Sequence, residues 1–97
     1  MIAMPHVYAL VHEERGSFGI SFPDFPGCIS GGHTLDEAIR RGAKALNFHV
    51  AGMVEGGERL PTLRSLDELR ADAEFVESLD GGDLALVKFG IPDRCRG

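Results

Sequence analysis

The side chains able to do chemistry in this 97-residue chain are four histidines, two cysteines and a scatter of acids, and their spacing does not favour catalysis. His6 and His12 lie an even number of residues apart in an extended stretch. Both would emerge on one side of a strand, but about 20 Å apart at the strand rise, too far to share one ion. His33 stands beside a helix start and His49 far along that helix, so all four histidines read as surface or half-buried residues and not as a ligand set. Cys28 and Cys95 are too few and too separated for a disulfide scaffold or a structural zinc site, and Cys28 reads as a small buried residue at a strand start. Ser21 and Ser30 have no nucleophile signature around them, and one Gly31-Gly32 pair before a helix is a weak match to a phosphate loop. The expectation is therefore no metal, no cofactor and no catalytic residue.

Binding is better supplied. Glu13 and Glu14 end the first strand at a hairpin, and Asp24 and Phe25 sit in the turn Pro23-Asp24-Phe25-Pro26-Gly27. These four are the residues expected to face a partner, on grounds of exposure and charge. Phe25 has two readings: held out between prolines for a partner, or folded back on the core. The net charge of −5 disfavours nonspecific nucleic-acid binding, which needs a basic surface to displace counterions, and suits a basic partner.

The elements that position these residues follow from hydropathy. Residues 6–13 are apolar on both faces, with Val7, Ala9 and Val11 on one and Tyr8 and Leu10 on the other. Such a strand belongs in the middle of a sheet, or between a helix and a partner. Gly16 closes a hairpin to a second strand in which Phe18, Ile20 and Phe22 alternate with small polar residues. The prolines of the turn stop that strand, because proline cannot donate to a ladder and disfavours helix before it. A short third strand at 28–31 pairs with the second. Thr34 and Glu37 form a capping box that opens a helix over 35–55, striped by Leu35, Ile39, Gly42 or Ala43, Leu46, Val50 and Met53 or Val54. Gly42 permits close approach to the sheet, and Arg40, Arg41 and Lys44 form a solvated face. Ser65 and Glu68 repeat the capping box and open one shorter helix with the stripe Leu66, Leu69, Ala73 and Val76. A last strand spans 84–89.

The ordered set Phe22-Pro-Asp-x-Pro-Gly27, Gly32 and Thr34-x-x-Glu37-Ala38 resembles the HicB-like antitoxin family. The resemblance covers roughly residues 8–61. Together with the element order it implies an α+β domain, β-β-β-α-(α)-β, with an antiparallel sheet backed by one long helix on a face. The family is described as a partly degraded RNase H-like fold. It also implies function: occlusion of a small basic, HicA-like ribonuclease toxin of double-stranded-RNA-binding-domain type, masking its catalytic histidine and RNA-binding face, with no catalysis by the antitoxin. An RNase H-like active site would need a carboxylate near the middle of the first strand, where this chain has Val-Tyr-Ala-Leu-Val.

Length and composition complete the expectation. Ninety-seven residues make a single domain, 1–97, and a 43% hydrophobic content is that of an ordered globular chain. No apolar run has the length of a membrane span and the N-terminus does not read as a signal peptide, so a cytoplasmic location is expected. Family members usually carry a helix-turn-helix or ribbon-helix-helix module after the last strand. No such module is recognisable after Phe89, which argues against operator binding by this chain. Two-sided apolar strands predict a homo-oligomer. The competing readings are a degenerate RNase H-like small-ligand or nuclease domain acting without a toxin, and a self-associating scaffold module.

Overall fold

A computed structural model describes residues 5–91. Strand β1 (His6–Glu14) is joined to β2 (Ser17–Ser21) by Arg15 and Gly16, both at positive φ (54° and 82°), a two-residue turn whose twist matches the flanking strands. β3 (Ile29–Gly32) pairs with β2, and β4 (Asp83–Lys88) returns beside β1. The sheet order is β3-β2-β1-β4 with every neighbouring pair antiparallel. β1 is thus interior, as its two apolar faces require.

Each face of β1 packs on a different set of helices. Val7, Ala9 and Val11 join Ile20, Phe22 and Val87 beneath the long helix α1 (Leu35–Glu55), which contributes Leu46 and Val50. Tyr8 and Leu10 point the other way, onto Leu69 of α2 (Leu66–Arg70) and Phe75 of α3 (Ala73–Leu79). Helical cover on both faces departs from the expected one-sided arrangement.

α1 opens at Thr34, whose Oγ1 accepts from the Glu37 amide at 3.0 Å; the Glu37 carboxylate reaches back one residue further than a standard box, to the His33 amide at 2.7 Å. Gly42 sets its distance from the sheet. A Cβ there would lie 2.9 Å from two Ile20 side-chain carbons, so no larger residue allows the same approach. The expected single second helix is two, broken at Asp72. The Asp72 side chain accepts from the Glu74 amide at 2.9 Å and starts a new helix. The break turns Phe75 inward and leaves Val76, a member of the expected stripe, 49% exposed. α3 is fastened to the sheet by His12, whose Nε2 lies 2.8 Å from the Ser78 carbonyl oxygen.

Candidate partner-binding surface

The turn between β2 and β3 is built from the inside. The Phe25 amide donates to the Phe22 carbonyl and the Cys28 amide to the Phe25 carbonyl, each at 3.0 Å, and Gly27 takes φ +91°. These successive tight bonds roll the chain over, so Phe25 falls into the core. It is 2% exposed and makes edge-to-face contacts with Phe89 (centroids 5.6 Å apart) and His49 (6.2 Å). The expectation that Phe25 is presented outward is therefore corrected: two prolines bracket the turn, but its apolar residue closes the core beneath α1.

Asp24 is corrected in the same way. At 6% exposure it is the buried charged residue among those described. Its carboxylate accepts from the Arg64 amide at 3.0 Å and from Arg64 Nε at 2.7 Å. Arg64 Nη1 then donates to Asp72 at 2.9 Å and Nη2 to the Pro23 carbonyl at 3.4 Å. Its hydrogen bonds to Asp24 and Asp72 push the Arg64 guanidinium above its ordinary value, and the bond from Arg64 lowers Asp72. One arginine thus ties the turn, the linker after α1 and the start of α3 into a unit.

Glu13 and Glu14 are exposed, as expected, but do not form one patch. Adjacent strand residues point to opposite faces. Glu13 lies on the side of Val7, Ala9 and Val11, Glu14 on the side of Tyr8 and Leu10. The hairpin they flank is at the far end of β2 from the Pro23–Gly27 turn, about 17 Å away at strand rise. The four expected partner residues are therefore not convergent: two acids mark one end of the sheet, and a buried pair shapes the other.

The open apolar surface lies beside the turn, with Asp24 and Phe25 in its wall. A groove of about 820 Å³ runs between the turn and the C-terminal half of α1, lined by Cys28, Ile29, Ala45, His49, Gly52 and Met53 among others. Ile29 is 71% exposed and Phe48, at its rim, 83%. Phe48 was legible in principle, since it falls opposite the Leu46 and Val50 stripe on the helix. Cys28 is buried, which pushes its thiol above the ordinary value and suits a packing role. Among the described residues no group of three or more His, Cys, Asp or Glu is placed to hold a metal ion, and no helix is long and apolar enough to cross a membrane.

A four-stranded antiparallel sheet covered by one long and two short helices, with acids at one end and an apolar groove at the other, defines a small α+β binding domain. The family model for the HicB_like antitoxin of bacterial toxin-antitoxin systems matches residues 7–88. The chain belongs to that family. It is similar to the N-terminal domain of the Burkholderia pseudomallei antitoxin HicB, with a TM-score of 0.69 and 34% identity over 84% of this chain and 94% of that one. A chain of a toxin-antitoxin complex from Streptococcus pneumoniae shares the fold, with a TM-score of 0.70 at 22% identity over 90% of this chain and 69% of that one. Among curated proteins, an uncharacterised 14.9 kDa protein from the rep-hol intergenic region of Haemophilus phage HP1 is 34% identical over 67 residues. Those residues are 69% of this chain and 50% of the phage protein, so the match spans about half the length of that relative.

Proposed function

We propose that this chain neutralises a small basic ribonuclease toxin of the HicA-like kind by binding it and covering its active site, in the cytoplasm and without catalysis of its own. The observation that carries the reading is the family match across every strand and helix of the domain, from residue 7 to residue 88. It is supported by the toxin-antitoxin complex that contains the Streptococcus pneumoniae relative. The non-catalytic role is supported by β1, whose central residues are all committed to packing. Val7, Ala9 and Val11 enter one core and Tyr8 and Leu10 the other, leaving no position there for a metal-binding carboxylate.

In this reading Glu13 and Glu14 meet the basic toxin directly at the hairpin end, and Asp24 and Phe25 contribute from within by holding the turn in shape. Exposed charges at an interface act mainly on the rate of encounter and on its salt dependence. The test is surface plasmon resonance against the product of the neighbouring reading frame at two salt concentrations. The Glu13→Lys, Glu14→Lys double variant is expected to associate more slowly and with a flatter salt dependence than the wild type. Unchanged association at both salt concentrations would remove the hairpin from the contact, and no binding by the wild type would remove the antitoxin reading.

A further inference from the structure

β3 is an outer strand of the sheet, and the register fixes which of its backbone groups face outward. The two-residue turn at Arg15 and Gly16 makes Glu14 and Ser17 a hydrogen-bonded pair, and with them His12–Gly19 and Leu10–Ser21. The backbone groups of Ser17, Gly19 and Ser21 are thus spent on β1. Those of Phe18 and Ile20 go to Gly32 and Ser30 of β3. The amides and carbonyls of Ile29 and Gly31 are left pointing away from the sheet, and among the described residues no turn, loop or cap bonds to them. Residues 29–32 hold no proline and no charge to blunt this edge, and Ile29 is 71% exposed.

A groove opens beside the start of this edge on each face of the sheet. On the α1 face lies the groove of about 820 Å³ with Phe48 at its rim. On the other face a groove of about 250 Å³ separates Ser21 and Ile29 from Glu74, Phe75 and Ser78 of α3. Pro26, Gly27, Cys28 and Ile29 border both. Successive residues of an extended strand point to opposite faces, so a strand laid along Ile29–Gly31 would send alternate side chains to the two grooves. The grooves ask for different side chains. The α1 groove is floored by Phe25, Cys28 and Met53. On the α3 side Arg64 is matched by Asp24 and Asp72, which leaves Glu74 exposed and without an ion pair among the described residues. β3 of a second copy is a poor occupant, because beyond Ile29 it offers only Ser30, Gly31 and Gly32.

We infer that the β3 edge receives an extended strand of another protein, added antiparallel to Ile29–Gly31, in which apolar and basic residues alternate. The apolar side chains enter the α1 groove and the basic ones lie towards Glu74. Main-chain hydrogen bonds supply the affinity of such strand addition, and the two grooves set its register. The inference does not depend on the toxin reading, and Glu13 and Glu14 lie outside this contact, at the far end of β2.

The probe is a fluorescein-labelled hexapeptide of alternating leucine and lysine, followed by fluorescence polarisation. A peptide of the same composition, with its leucines and lysines in two blocks, is the control and should bind about tenfold more weakly or worse. Paired residues of antiparallel strands share a face, and Ile29 and Gly31 share that of Ser21 and Gly19, away from α1. The peptide amides that bond to β3 are therefore those of its lysines. N-methylation of the lysine amides should abolish binding, and N-methylation of the leucine amides should leave it intact. Ile29→Pro removes one outward donor at the first residue of an edge strand, where proline is tolerated. It and Glu74→Lys should each weaken binding about tenfold, with circular dichroism to show that both are folded. The methylated peptides decide the matter on the wild-type chain alone. No binding of the alternating peptide, equal binding of the block peptide, or equal effects of the two methylation patterns would overturn the inference. Self-association of the chain that Ile29→Pro abolishes, with no peptide binding, would assign the edge to a second copy and equally overturn it.

Discussion

Asp24 and Arg64, forty residues apart in the chain, are joined by two hydrogen bonds, one to each oxygen of a nearly buried carboxylate. One comes from the Arg64 backbone and the other from its side chain, so the pair fixes the path of the linker as well as a charge. The turn that opens the groove on one side and α3 on the other are thereby held in a single arrangement.

Asp24→Ala should therefore lower stability by about 2–3 kcal/mol, since hydrogen bonds to charged groups are worth about that much and the Arg64 side chain is left without its main partner. Urea denaturation is the measurement. Asp24→Asn keeps the shape and one acceptor and should cost less. Equal losses from both variants would mean that the whole contribution comes from the carboxylate charge.

Acid should destabilise the fold through the caps. Glu37, Glu68 and Asp72 are all held below their ordinary values: Glu37 chiefly by the His33 amide, Glu68 by the Ser65 amide and Asp72 by the Arg64 side chain. A carboxylate with a lower pKa in the folded state binds protons more readily when unfolded. Its stabilisation is complete above the ordinary carboxylate range and is lost as pH falls through that range to the lowered folded values. Melting temperature should accordingly be flat near neutrality and fall on acidification below about pH 4.5, where the ordinary glutamate value lies. Arg64→Gln should make the acid limb shallower by releasing Asp72. An unchanged acid limb in that variant would contradict the assignment.

Gly42→Ala sets two effects against each other. Alanine gains about 1 kcal/mol of helix propensity over glycine. Against that, the new methyl would sit 2.9 Å from Ile20 Cδ1 and Cγ2 and 3.4 Å from Phe22 Cζ, and overpacking of this kind costs about 1–3 kcal/mol. Cγ2 is anchored close to the backbone and cannot swing away as a chain end can, so a net loss of about 1 kcal/mol is expected. Gly42→Val should lose more. A stabilised alanine variant would show that α1 can lift from the sheet without penalty.

Much of this arrangement is written locally. Alternation marks β2, the two-sided run of 6–13 marks an interior strand, and Thr34 and Ser65 announce two of the three helix starts with their own hydrogen bonds. Gly42 stood out because an interior helical glycine needs a packing reason, and Ile20 supplies it. What the local pattern hides is contact over distance. Nothing near Asp24 names Arg64, and nothing near Phe25 names Phe89, so a buried turn reads as an exposed one. The break at Asp72 was masked for a different reason. Leu69, Ala73 and Val76 continue a helical period through it, although Asp72 is itself a good cap and Phe75 supplies the better anchor.

The central claim is that this domain silences a toxin, and the direct measurement is a titration of ribonuclease activity. The product of the neighbouring reading frame is assayed on RNA while purified chain is added in steps. Cleavage should fall in proportion to added chain and cease near a fixed molar ratio, and the Glu13→Lys, Glu14→Lys variant should need more protein to reach the same inhibition. Undiminished cleavage at a large molar excess of folded chain would contradict the account.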